Sequence, residues 1–198
     1  MKNAFRSADI PGNSPRERIL KIASELFYAQ GVRAVGVDTI IAKADVAKAT
    51  FYKHFPSKDD LMLAFLKRRD ALLRTWLEQA VERLAPEPAD KPLAVFDALA
   101  QRFASKDYRG CAFINSMVEL ANRDHVVHAA AEEHKRLVTA YIAGLLKGAG
   151  VAAPNNLARE FMMLMDGAIV TAVREGSPEA ARAAKRVATV LLHDALSA

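Results

Sequence analysis

The sequence predicts an all-α fold of about nine helices: an N-terminal three-helix helix-turn-helix unit and a larger helical body. Three observations carry this. Val, Ile and Thr never alternate at period two, and no Asn-Gly turn separates two apolar runs. Ala and Leu abound, and apolar residues recur three and four positions apart. Helix punctuation also recurs along the chain, from Ser14-Pro15 near one end to Gly176-Ser177-Pro178 near the other.

The elements follow in order. Residues 1–13 read as a mobile arm. Ser14 caps the first helix, Pro15 suits its first position, and Glu17 is placed to complete a capping box. Ile19, Ile22, Ala23, Leu26 and Phe27 then form one stripe, and Gly31 stands where a helix stop is wanted. A short helix at about 37–44 carries Ile40, Ile41 and Ala44, and a second at about 47–54 stops before Pro56. Ser57 caps a long helix whose Asp59 and Asp60 suit the positive end of its dipole. It ends before Pro86-Glu87-Pro88. Further helices are expected at about 91–105, 110–122, 124–148, 154–175 and 178–196.

The 198 residues are 52% apolar and 26% charged, enough for a core and too apolar for wholesale disorder. A single cysteine, Cys111, excludes an intramolecular disulfide and a cysteine-rich zinc site. No apolar run approaches the ~20 residues needed to span a bilayer, so no membrane is expected. Lys2, Arg6 and Asp9 have no apolar stretch beside them to make a secretory signal. A cytoplasmic, reducing location is expected. The net charge of +5 is uneven: residues 1–75 hold 14 Lys+Arg against 8 Asp+Glu, and the remainder 14 against 15. The excess suggests a basic module that meets a polyanion, the alternative being chance scatter of solvated charges.

Gly36 to Phe55 reads as two short helices about a tight turn, and with the helix before them they make a helix-turn-helix unit. In such units the second short helix enters the major groove. Ala47, Lys48, Thr50 and Lys53 suit its leading face, with Val46 and Phe51 behind them. Tyr52, His54 and Lys58 are placed to reach phosphates, the commonest partners of protein–DNA hydrogen bonds. Thr39 either contacts phosphate or caps the first short helix, and Arg33 is a further candidate. The competing readings are packing for Tyr52 and solvation for His54, Lys48 and Lys58.

Residues 15–66 resemble the DNA-binding domain of the TetR family of transcriptional repressors. The resemblance runs through Phe27 before Gly31, Ile41-Ala42, Val46, Thr50-Phe51-Tyr52 and, above all, Tyr52-Lys53-His54-Phe55-Pro56-Ser57-Lys58-Asp59-Asp60-Leu61. It implies a DNA-binding domain over 14–60, with the motif at 36–55, and a ligand-binding and dimerisation domain over 61–198. It also implies a homodimer on a double-stranded operator, with Thr39, Ala47, Lys48, Thr50, Phe51, Tyr52, Lys53, His54, Lys58 and Arg33 as the DNA set. Three positions depart from the family pattern. Asp45 replaces a common Gly in the turn, where a positive φ is needed. Ala47 replaces a common Ser, losing a cap worth roughly 1 kcal/mol. Ala49 replaces a frequent Gly and favours helix.

Beyond residue 75 no motif is as specific. The 154–175 helix is apolar nearly all round, and the last helix carries many small residues. Two such helices fit either an intrachain core or a four-helix bundle between two copies, and the resemblance implies the bundle. The expected interface is Phe161, Met165, Ile169, Val173, Ala184, Val187, Ala188 and Leu191. Trp76, Phe96, Phe103, Phe113, Met117, Tyr141, Met162 and Asp166 are candidates to line a pocket for a small apolar or amphipathic effector. Asn115, His125 and His128 are further polar candidates, and plain core is the alternative for the apolar ones. His125, His128 and His134, with Glu132 and Glu133, read as a solvated helix face rather than a metal site. No metal, cofactor or catalytic set is implied: there is no Ser/His/Asp group, phosphate loop or zinc-protease motif. The expected function is a ligand-responsive transcriptional regulator, most simply a repressor, with a helical architectural or partner-binding protein as the alternative.

Overall fold

The structure is a computed structural model that describes residues 14–197, so the N-terminal arm lies outside the described residues. Among them are nine helices and no strand: α1 (Pro15–Gln30), α2 (Val37–Ala44), α3 (Lys48–His54), α4 (Lys58–Leu84), α5 (Lys91–Phe103), α6 (Ala112–Leu120), α7 (Val126–Gly148), α8 (Pro154–Glu175) and α9 (Glu179–Ser197). The described residues up to Leu73, with Cys111–Glu132, form one compact unit; Arg74–Gly110 and the residues from Glu133 onward form another. The sequence division at 60/61 thus differs from the compact units by two segments, 61–73 and 111–132.

In the first unit α1 packs on α2 and α3. Ile19, Phe27, Ile40, Phe51, Phe55, Leu61 and Phe65 fill its core, and Phe27 meets Phe65 edge-on at 5.6 Å. The starts of α1 and α4 have a local cause. The Ser14 hydroxyl accepts from the Glu17 amide at 3.3 Å, while the Glu17 carboxylate takes an ion pair with Arg68 at 3.3 Å. At α4 the cap is reciprocal: the Asp60 amide donates to the Ser57 hydroxyl at 3.1 Å, and the Ser57 amide donates to the Asp60 carboxylate at 3.0 Å.

In the second unit α5 and α8 both pack against α9. Its core holds Leu77, Val81, Val95, Phe96, Ile142, Leu146, Phe161, Met165 and Leu192. Phe96 and Phe161 meet edge-on at 5.5 Å. Ion pairs tie Lys185 to Asp97 at 2.6 Å and Lys135 to Asp166.

Three helices, α5, α6 and α7, are shorter than the sequence suggests. α5 stops at Phe103 because Arg102, itself buried, turns to Ser105 and Asp107 and closes the next turn. α6 spans only 112–120: Gly110 has φ 84 before it, and Ala121 takes a left-handed conformation, φ 53, after it. Then α7 begins at Val126, with the His125 ring nitrogen Nδ1 accepting from the Val127 amide at 3.2 Å.

Candidate nucleic-acid interface

The turn between α2 and α3 sets the geometry of the reading helix. Asp45 ends α2 at φ 51, ψ 60, the left-handed conformation its position demands. Arg18 of α1 donates to two turn carbonyls, Ala44 O at 3.3 Å and Asp45 O at 3.4 Å, which ties the turn to the first helix. α3 then starts at Ala47 with no side-chain cap.

On α3 one face is closed and the other open. Phe51 is fully buried and packs on Phe55 with ring centroids 6.2 Å apart. This corrects its assignment as a DNA contact: its side chain is spent on the core and has no surface to offer. Ala47, Lys48, Tyr52 and Lys53 are exposed, and Thr50 and His54 are half-buried. Tyr52 stands edge-on to Phe51 at 5.2 Å, so the core fixes the ring while leaving it 43% exposed. Lys48 lies 3.6 Å from Asp38 of α2, and both side chains are solvated enough for that pair to yield readily. Thr39 is exposed, on the same helix as Asp38.

Lys58 and Arg33 stand differently. Lys58 opens α4, is half-buried, and donates to the Arg33 carbonyl at 3.3 Å. Burial lowers its pKa from the usual lysine value, against the opposing pull of Asp59 and Glu119. Arg33 is exposed, but its amide donates to the Glu119 carboxylate at 2.9 Å and its guanidinium to the Glu119 carbonyl at 3.2 Å. Sequence reasoning missed Glu119, because a partner 86 residues away leaves no local signal.

Comparison with known proteins bears on what this surface is. Residues 19–65 match the family model described as "Bacterial regulatory proteins, tetR family". A TetR-family transcriptional regulator of known structure from Streptomyces coelicolor is 32% identical, with a TM-score of 0.82 over 92% of this chain and 96% of that one. The chain belongs to the TetR family. As a TetR-family protein it is a DNA-binding transcriptional regulator. The transcriptional activator FasR of Mycolicibacterium smegmatis is 38% identical over 76 residues, which are 38% of this chain and only 35% of FasR. The transcriptional repressor NemR of Escherichia coli is 23% identical over 67% of each chain. A reduced NemR structure superposes with a TM-score of 0.78 at 22% identity, a likeness of fold.

In this TetR-family chain the expected effector set does not gather in one unit. Phe113 and Met117 cluster with the reading helices, whereas Trp76, Phe96, Phe103, Tyr141, Met162 and Asp166 belong to the second unit. Phe96, Phe103 and Met162 are buried there, and Trp76 and Tyr141 are half-buried. Asp166 is already engaged by Lys135. Asn115 is exposed. The histidines are not the solvated face the sequence suggested. His134 is buried, His128 has a buried Nε2 without a hydrogen-bond partner among the described residues, and His125 lies 3.4 Å from Asp59.

Half of the expected dimer set also needs correction. Phe161, Met165, Ala184 and Ala188 are buried inside their own chain and present nothing to a second copy. A helix that is apolar all round hides which face turns inward, and here the Phe161–Met165 face does. Ile169 and Leu191 are half-buried, and Val173 and Val187 are exposed. Met163, Val170 and Val190, absent from the expected set, are exposed as well, at 75%, 55% and 68%. The spacing 163–170–173 was the available signal, once Phe161 and Met165 define the inward face.

Proposed function

We propose that this regulator acts as a homodimeric repressor on a pseudo-palindromic DNA operator in the cytoplasm, and is released by a small apolar or amphipathic effector. The observation that carries the DNA part is the open face of α3, where Ala47, Lys48, Tyr52 and Lys53 are exposed above a closed Phe51–Phe55 core. Thr50 and His54 lie half-buried on the same helix, Thr39 is exposed on α2, and Arg33 and Lys58 supply further cations in the same compact unit. The exposed Met163, Val170, Val173, Val187 and Val190 support dimerisation, since apolar side chains on two packed helices want a partner surface. Repression follows the relative matched over most of its length, NemR, over the activator FasR, matched over about a third.

The test begins with operator duplex selected from a random pool. Y52A combined with K53A is expected to lower affinity by at least about tenfold and to flatten the salt dependence, because phosphate contacts release counterions. Unchanged affinity and slope would remove the assignment. A thermal-shift screen of small lipophiles tests the effector, since a ligand that binds only the folded protein must raise its melting temperature.

A further inference from the structure

We infer that the Glu119 carboxylate is an internal anion lying where a DNA phosphate would bind, and that operator binding displaces it. The inference rests on the reading of Arg33 and Lys58 as phosphate contacts. Glu119 holds Arg33 directly, and Lys58 is tied to the same turn. The Arg33 amide and guanidinium donate to Glu119, at its side chain (2.9 Å) and its backbone carbonyl (3.2 Å). Lys58 donates to the carbonyl of the same Arg33 at 3.3 Å and feels the Glu119 charge.

The fit is close. A Cβ on Gly31 would lie 2.7 Å from the Glu119 carboxylate, so the residue before the Val32-Arg33 turn must be glycine for the carboxylate to sit there. Its φ of 92 demands glycine as well. The Arg33 amide that meets the carboxylate is a donor a phosphodiester would use, and a carboxylate is the side chain that mimics one best.

Glu119 stands in the last turn of α6, just before Ala121 in its left-handed conformation. Beyond that turn His125 makes a second contact to α4, 3.4 Å from Asp59. The α6–α7 corner therefore holds the first turn of α4 and the α1–α2 turn together, and Glu119 is the charged part of that hold. A phosphate approaching Arg33 and Lys58 meets a like charge until Glu119 withdraws.

The test measures binding of the full-length chain to a short mixed-sequence DNA duplex at several salt concentrations. E119Q keeps the shape and removes the charge, and is expected to tighten binding about three- to tenfold. K58A is expected to weaken binding and reduce the salt slope by about one. Adding E119Q to K58A should then return much less than it does alone. E119A serves as a second charge-free variant, with melting temperature as the folding control. If K58A weakens binding while E119Q leaves it unchanged or weaker, the displaced-anion inference is overturned and the phosphate reading stands. If K58A changes neither affinity nor slope, the phosphate reading fails and takes the inference with it.

Discussion

Tyr141 shows how a single residue reports its surroundings. The side chain is half-buried on α7, and burial, with Glu78 and Glu82 of α4 adding to it, raises its pKa from 10.0 to about 12. All three effects disfavour the phenolate. The unfolded chain loses this proton near pH 10, and the folded chain holds it until about 12. The stabilisation is therefore complete below pH 10 and disappears as pH rises through about 12. Tyrosinate absorbance of the folded protein should show a tyrosine step near pH 12. Y141F should delete that late step and make stability less steep in pH over the same window. A Tyr141 that ionised near pH 10 would contradict its buried environment. Phe51 makes the complementary point at the same scale. As the neighbour of Tyr52 in a DNA-reading segment it resembles a contact, yet its burial assigns it to packing.

At the scale of elements, helix starts and stops were legible because their causes are local. Ser14 and Ser57 cap, Gly176 stops α8 in a left-handed conformation, and Asp45 takes the positive φ that a turn glycine would otherwise supply. Facing was legible only where polar residues mark the outside. On α8 they do not, so Phe161 and Met165 read as interface when they are core. Partners distant in sequence, such as Glu119 for Arg33, were not legible at all. One weak point left by local chemistry is the start of α3, where Ala47 provides no side-chain cap. A47S is expected to supply an acceptor for the first-turn amides and to stabilise the fold by about 1 kcal/mol. In a domain of this size that raises the melting temperature by roughly 2–4 °C. Calorimetry on the pair of proteins measures it, and an unchanged or lower melting temperature would mean the first turn of α3 is satisfied in another way.

At the scale of the whole molecule, the question is how one small helix can find a specific operator. α3 is seven residues long, and a single copy offers few side chains to base edges and phosphates. A twofold assembly reads two half-sites with one binding event, and the second head then binds at a high effective concentration. The proposed surface for that assembly is the outward face of α8 and α9. These helices pack on each other, hold Phe161, Met165 and Ala188 inside, and leave Met163, Val170, Val173, Val187 and Val190 outside. The inside anchors the pair through the Phe96–Phe161 contact and the Lys185–Asp97 ion pair, so the outside can be altered without unfolding the chain. V170E combined with V187E puts two carboxylates per chain on that face, four across a twofold interface. Light scattering should then give a monomer mass near 21.6 kDa with helical content intact. Operator affinity should fall by about 100-fold, the loss expected when a linked second head is removed, while weak binding to mixed-sequence DNA persists. A dimer mass retained in the double variant would move the interface elsewhere. A monomer that keeps full operator affinity would show instead that one head suffices.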